Sequence, residues 1–342
     1  MDKKEFTTIC REIFSHYGFI KRKNLYFRAG NNGVLCGLGL KFSQFGSTGS
    51  VMVYYYTDAQ EIDTATQYNY DFVGYVEVLS KITDKGNPFL TGSIDYELYS
   101  KEELRSDLEK AMTAQILPAL EDLTIFLRTA VQLRVHHTKD KVAVLNKLWT
   151  AQMEGAGRKN ATFLGLHRGT VILQPHDPCW PILAEECVEQ LKALLGPVAI
   201  DIQHVGSTAI KTISAKPILD IVIGVAALED IQKYIPVLAQ QNIIYRGQDQ
   251  PGQLLFVIGD FEQDTRTHHI HVVLYGSADW ENYLNFRDYL NQVPEKAAAY
   301  DARKAHLARQ YPQDRGAYTA GKAELVNQIL VEAKAWRMEQ KQ

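Results

Sequence analysis

The sequence predicts an α+β protein of two domains, and three observations predict it. The chain has 342 residues, so either half is long enough to bury a core of its own. A polar stretch with two glycines, Glu154–Asn160, divides it. On both sides of that stretch, segments of helical hydrophobic period lie among short runs that alternate or are wholly apolar, as strands are. We therefore expect an α+β domain over residues 1–135, a linker over 136–161 and a second domain over 162–342.

The first half reads as an antiparallel sheet with helices. Lys3–Tyr17 carries Phe6, Ile9, Cys10, Ile13, Phe14 and Tyr17 at helical spacing, and Gly18 ends it. Gly18–Asn24 reads as a basic turn, a solvated loop before it is an anion site. Asn24–Arg28 is a short strand. Val34–Ser43 alternates, with Leu38, Leu40 and Phe42 on one face. Gly46–Ser50 is the turn, and Val51–Thr57 is the return strand. Tyr54-Tyr55-Tyr56 within it reads as strand material rather than a stacking platform, because neighbours on a strand face opposite sides. Ser100, with Glu103 three residues on, is a capping box for a long C-terminal helix. Leu104, Leu108, Met112, Ile116, Leu120, Leu123 and Leu127 point inward along that helix, and Pro118 is its kink point. The segment running from helix through Gly-Phe, basic turn, Tyr-Phe-Arg and long strand resembles a family of uncharacterised bacterial domains. That resemblance brings no function with it.

Composition narrows the function classes. Hydrophobic residues make up 46% and charged residues 23%, as in an ordinary globular protein. A net charge of −3 gives no general attraction to nucleic acid or to an anionic membrane. No apolar run reaches membrane-spanning length, and the first residues lack the apolar core of a signal peptide. Cys10, Cys36, Cys179 and Cys187 have no metal or redox spacing, so a cytoplasmic location is expected.

The second half opens with a short strand at Val171–Leu173. Pro175-His176-Asp177-Pro178 follows. His176 and Asp177 are a candidate acid/base pair, but Asp177 as helix cap with Pro178 as first helical residue completes the grammar of a helix start. That helix ends at Gly196-Pro197. Ala199–Val205 is the next strand. His204-Val205-Gly206-Ser207-Thr208 then reads as strand, glycine turn and short helix, and Lys216-Pro217-Ile218-Leu219-Asp220-Ile221 leads into an apolar strand with an acid near its start. A Gly-Ser turn at a helix start offers backbone N–H groups that suit phosphate oxygens. A carboxylate on the neighbouring strand suits the divalent metal that travels with phosphates. The bland alternatives are a capping Ser207 and a strand-end Asp220 paired with Lys216. Arg266–Leu274 supplies the next clue: His269 and His271 are two apart on a strand and share a face, while His268 points away. Two imidazoles near a carboxylate form a metal-ligand or a general-base arrangement.

These residues carry a family resemblance from Gly165 to about Trp336. Gly169-Thr170-Val171, Pro175-His176-Asp177-Pro178, Trp180, the His204–Thr208 and Ala215–Ile221 motifs, and His269–Val273 appear in order. Gly276-Ser277, Trp280, Phe286-Arg287-Asp288, Tyr318 and Gly321-Lys322 follow. Together they resemble the GrpB family of the nucleotidyltransferase superfamily. The resemblance implies a nucleotidyltransferase-like fold, a small mixed sheet with packed helices. It implies a bacterial protein that transfers a nucleotidyl group from an NTP to an unknown acceptor, with Gly206, Ser207, Thr208, Lys216, Arg287 and Lys322 on the nucleotide. It implies a divalent metal, Mg²⁺ or Mn²⁺ with Zn²⁺ as alternative, on Asp220, His269 and His271, the same three residues being the catalytic set. The other reading is a nucleotide sensor or adaptor on the same fold.

The chain departs from the superfamily at one place. Active members carry two acids spaced acid-apolar-acid on one strand; here Val222 holds the second position. His269 and His271 stand where a further acid is usual, and imidazole suits Mn²⁺, Zn²⁺ or Fe²⁺ better than Mg²⁺. Either the metal differs, or the histidines act on substrate, or transfer has been lost. Lys211-Thr212 also replaces a Pro-Gly usual in the family. Trp280, Tyr283, Leu284, Phe286 and Leu290 read as helix core, and Tyr318 as either helix packing or a base-stacking ring.

Overall fold

The computed structural model describes residues 1–44, 46–57, 63–76, 94–155 and 163–340. The backbone divides into two compact units, Met1–Asn160 and Ala161–Gln342.

In the first unit, α1 (Lys3–His16) starts at a capping box between Asp2 and Glu5 and buries Phe6, Ile9, Cys10, Ile13 and Phe14. The expected basic turn holds a strand instead. β1 (Ile20–Arg22) pairs antiparallel with β2 (Leu25–Ala29) around Lys23, whose φ is 53°. Three exposed residues, two of them cationic, make a short edge strand that discourages further pairing. β3 (Leu35–Phe42) and β4 (Thr48–Tyr56) form the central hairpin. Pairing of Phe42 with Gly49 carries β4 back into the stretch read as turn. β5 (Phe72–Tyr75), β6 (Ile94–Asp95) and β7 (Arg134–Val135) complete an antiparallel sheet of order β1-β2-β3-β4-β5-β7, with β6 on β4. Tyr54, Tyr55 and Tyr56 are buried on alternate faces: Tyr55 meets Phe126, and Tyr56 meets Phe27.

The long helix expected after Ser100 is broken into segments. α2 (Lys101–Ala111) passes into a π-helical turn, Met112–Ile116, then α3 (Leu117–Glu121). Pro118 has no N–H and crowds the carbonyl four residues back, so the turn before it widens. Asp122 is extended and caps α4 (Leu123–Gln132), accepting from the N–H groups of Thr124 and Ile125. α5 (Lys141–Gly155) follows.

In the second unit, β8 (Leu166–His167) pairs with β13 (Thr265–Arg266). The strand expected at Val171–Leu173 is absent. Only Gln174 bridges, to Ala215, and the Val171 N–H donates to the Pro312 carbonyl, so this segment finds irregular partners rather than a sheet edge. Asp177 accepts from the Cys179 N–H at 2.8 Å and starts α6 (Cys179–Leu195), while His176 packs edge-on against Trp180, which fits capping rather than an acid/base pair. β9 (Ala199–Val205) and β10 (Leu219–Val225) are antiparallel. The chain then runs through α7 (Leu228–Gln232), α8 (Ile235–Gln240), β11 (Ile244–Gln250) and β12 (Gln253–Ile258). It returns as β14 (His268–Leu274), which lies parallel to β10. The sheet order is β11-β12-β14-β10-β9, a mixed sheet.

α9 (Ala278–Gln292) sets Trp280 on Val205, Val222 and Val273 of this sheet. α10 (Pro294–Gln310) and α11 (Arg315–Glu339) pack with α9 around Tyr289, Leu290, Tyr300 and Ile329. All four cysteines are buried, and none of them is in a disulfide. Among the described residues, no helix is long and apolar enough to cross a membrane.

Candidate functional site

The register of three strands assembles the site. Asp220 on β10 stands opposite Val205 of β9 on one side and opposite His269 of β14 on the other. β9 therefore delivers its glycine turn directly to the carboxylate. Gly206 has φ 69°, and a Cβ there would sit 2.3 Å from Asp220 Oδ2. Backbone conformation and the close carboxylate both demand glycine. Ser207–Ala209 is a single 3₁₀ turn, and the N–H groups of Ser207 and Thr208, at its start, have no partner within it. Thr208 is buried, with its hydroxyl 2.9 Å from His204 Nε2. Burial pushes the His204 imidazole down to about 4.

The two histidines on one face of β14 meet Asp220 differently. His269 Nδ1 is 3.2 Å from Asp220 Oδ1, and His271 Nε2 is 3.9 Å from the same oxygen. Burial pushes the His269 pKa below its usual value, so the ring is neutral at pH 7 and donates its Nδ1 proton to the carboxylate. Burial alone would raise Asp220; hydrogen bonding from His269 and His271 outweighs it and holds the carboxyl well below the usual range. The Tyr283 hydroxyl donates to Gln253 Oε1 at 2.8 Å, and Gln253 Nε2 donates to His271 Nδ1 at 3.2 Å. With Nδ1 accepting from Gln253, it is His271 Nε2 that faces Asp220. The Tyr283 ring stacks on His271 with centroids 5.2 Å apart. His268 faces the other way, bonded to Thr267 Oγ1 at 2.9 Å, and burial pushes it down to about 3.

The basic residues divide into two groups. Lys216 precedes β10, and its ammonium lies 5.7 Å from the Tyr318 ring centroid; Lys322 lies 5.2 Å from the same ring. Burial pushes the Lys216 pKa down to about 8, Arg315 and Lys322 push the same way, and Asp220 partly opposes them. The loop before Lys216 is clamped at Ser214, whose N–H donates to Asp301 Oδ1 and whose carbonyl accepts from Lys304. Arg287 stands apart. It donates to Asp288, to Gln203 Oε1 and to the His204 carbonyl, which ties α9 to the end of β9. Tyr318 is 1% exposed and packs with Val171 and Leu307, so its ring is core rather than a base-stacking surface.

Gly206, Ser207, Thr208, Lys216, Asp220, His269 and His271 thus gather in one place, with Lys322 joining through Tyr318. Gln253 and Arg315 join them, and so does Tyr283. Helical spacing marks Tyr283 as core, and the fold brings its hydroxyl to Gln253 at the start of β12. Among the described residues, no group of three or more His, Cys, Asp or Glu is arranged to hold a metal ion. Asp220 Oδ1 is 3.2 Å from His269 Nδ1 and 3.9 Å from His271 Nε2. Val222, in the second acid's position, is fully buried beneath Trp280.

Comparison with known proteins covers the same region. The family model described as "GrpB protein" matches residues 170–332. The chain is 38% identical over 172 residues to the "Glutamate-rich protein GrpB" of Alkalihalophilus pseudofirmus, covering 49% of this chain and 99% of that protein. It is 34% identical over 159 residues to the "UPF0157 protein YqkA" of Bacillus subtilis, covering 46% of each. A crystal structure of the conserved protein GrpB from Enterococcus faecalis aligns with a TM-score of 0.45 at 28% identity, covering 48% of this chain and 99% of that one. Through its second half, the chain belongs to the GrpB family.

Proposed function

We propose that the GrpB domain binds a nucleoside triphosphate together with its divalent cation and transfers the nucleotidyl group to an acceptor. The observation that carries this reading is the close approach of the Asp220 carboxylate to Gly206, where an added Cβ would lie 2.3 Å from Oδ2, with Lys216 near enough to feel the Asp220 charge. Magnesium is commonly held by one or two carboxylates plus substrate phosphates rather than by an all-protein cage, so a cation arriving on the triphosphate needs no resident site. When bound, it supplies charge neutralisation at the phosphates.

The chain's own residues would do the rest. The turn's N–H groups and Lys216 bind phosphate oxygens, and Asp220 faces the cation with Oδ2. Asp220 Oδ1 fixes His269 with its proton on Nδ1, which leaves Nε2 with the lone pair. Nε2 is then the atom to take the acceptor hydroxyl's proton as that oxygen attacks the α-phosphorus and pyrophosphate leaves. The buried thiols suit a reducing cytoplasm.

A second reading, a nucleotide sensor without turnover, is favoured by one observation: apolar packing of Val222 leaves β10 a single site carboxylate. Calorimetry and pyrophosphate release, measured across NTPs with Mg²⁺, Mn²⁺ and Zn²⁺, separate the two. Release that Asp220→Ala abolishes supports transfer. Binding without release under every metal supports the sensor, and absence of binding overturns both.

A further inference from the structure

The first unit holds a cavity that the proposed transfer does not use. Helices α1 and α4 cover one face of its sheet, where Phe14 meets Tyr26 and Phe126 meets Tyr55 and Phe72. On the other face, Leu25, Gly39 and Met52 stand side by side on β2, β3 and β4. The segment from Asp63 to Tyr70 crosses this second face. An ion pair of Arg22 with Asp63, a bond from the Tyr56 hydroxyl to the Thr66 carbonyl, and the packing of Tyr70 on Tyr54 hold it there. Between this segment and the strands lies a cavity of about 440 Å³, the size of a small-molecule site.

Its lining joins an apolar floor to polar ends. Leu25, Leu40 and Met52 supply the floor. Lys41, Tyr54 and the amides of Asn24 and Gln67 supply the polar groups, and among the described residues no carboxylate lines it. None of these four side chains has a hydrogen-bond or ion partner among the described residues. Tyr54 matters most, because it is 8% exposed. A buried hydroxyl without a partner is costly unless something in the cavity accepts its proton. Burial pushes its pKa up to about 12, and Tyr70, Tyr75 and Tyr68 push the same way, so at neutral pH it is a donor. Lys41 is the one cation of the described lining.

The register separates the two polar groups. Lys41 lies two residues beyond Gly39 on β3, whereas Tyr54 stands opposite Gly37, two residues before it. Strand side chains two apart share a face, so Lys41 and Tyr54 flank the floor from opposite ends. We infer that this cavity binds a small organic carboxylate: the acid group at Lys41, an apolar body over Leu25 and Met52, and a hydrogen-bond acceptor at the Tyr54 hydroxyl. A single cation suits one carboxylate and not a polyphosphate. The inference concerns the first unit alone, so its failure leaves the proposed transfer untouched.

The test is NMR of methyl-labelled methionine on the full chain. The chain has five methionines, and Met52 lines the cavity, so its signal, assigned through Met52→Leu, reports on that place. Hydroxyphenylpropionate, hydroxyindoleacetate and hydroxyoctanoate are titrated beside their amides. At least one acid should shift the Met52 signal saturably, with Kd at or below about 1 mM, and its amide should bind at least about tenfold more weakly. The signals of Met112 and Met338 should stay in place. Lys41→Met should lower affinity about tenfold and abolish the preference for acid over amide. Tyr54→Phe removes a hydroxyl without a partner, so it should leave the melting temperature unchanged and weaken the hydroxylated acid but not phenylpropionate. Gln67→Trp, at a partly exposed position of the covering segment, should block every probe. Unchanged melting temperatures of these variants exclude unfolding as the cause. No shift of Met52 by any acid up to about 10 mM would overturn the inference. So would binding that Lys41→Met and Gln67→Trp leave unchanged, or amides that bind as tightly as acids.

Discussion

His269 donates its Nδ1 proton to Asp220 across two parallel strands, and the register that pairs these two residues also pairs His271 with Val222. One strand pairing therefore sets the site's carboxylate, both its imidazoles and the apolar residue beside them.

In the proposed transfer, the Asp220–His269 pair makes His269 the base. With His269→Gln, pyrophosphate release is expected to fall on the order of 10²- to 10⁴-fold while NTP affinity changes little. The ring must be neutral to act, and burial places its pKa below 6.5. The wild-type rate should therefore hold as pH falls to 6.5 and drop only below it. A pH–rate profile checks both points.

Gly206→Ala is expected to damage stability and site together. Its left-handed backbone, φ 69°, costs a non-glycine residue roughly 1–3 kcal/mol, and the added Cβ drives Asp220 from its place. Urea unfolding should show the stability loss, and NTP titration should show weakened binding.

Val222→Asp restores the missing second acid and is expected to fail. The position is fully buried against Trp280, Val205 and Val273, where an unpaired carboxylate costs on the order of 3–5 kcal/mol. Loss of the folded domain by circular dichroism, without a gain in pyrophosphate release, is the expected outcome.

These predictions rest on features that were unequally legible in the sequence. Asp220, His269 and His271 could be placed on shared faces because strand side chains alternate with a fixed period. The edge strand Ile20–Arg22 was hidden because its residues are exposed and charged, and the left-handed Lys23 that turns the hairpin is not a usual turn residue. The break at Asp122 was hidden because the hydrophobic spacing continues through it; capping chemistry overrode periodicity. Gln253, Tyr283 and Arg315 reach the site from elements that only tertiary pairing brings near it.

Acid should destabilise the second unit before its carboxylates are protonated. His204 and His268 are held neutral by burial, at about 4 and about 3, against 6.5 when exposed. The unfolded chain takes up those protons first, so stability is full above about pH 6.5 and falls as pH drops towards 4. The loss is on the order of 2 kcal/mol per histidine. Urea midpoints from pH 7 to 4.5 measure it, and His268→Leu should flatten the slope.

Anion binding should weaken with rising pH. Lys216 loses its proton near pH 8, whereas its usual value is 10.5, and a bound phosphate favours the charged form. NTP affinity should therefore fall between pH 7 and 9, with proton uptake at pH 8 seen as a buffer-dependent heat. Lys216→Arg, which stays charged, should remove that dependence.

The parallel pairing of β10 with β14 has a consequence for how the protein comes to exist. Asp220 and His269 lie 49 residues apart, and everything between them must cross over before the two strands can lie side by side. Neighbouring strands β9 and β10 meet through a much shorter connection, and loop-closure entropy favours such local contacts first. A chain halted at that stage would hold its glycine turn and its carboxylate without His269 or His271 beside them. Loop closure thus favours the β9–β10 hairpin ahead of the Asp220–His269 dyad, which waits for the parallel pairing of β10 with β14.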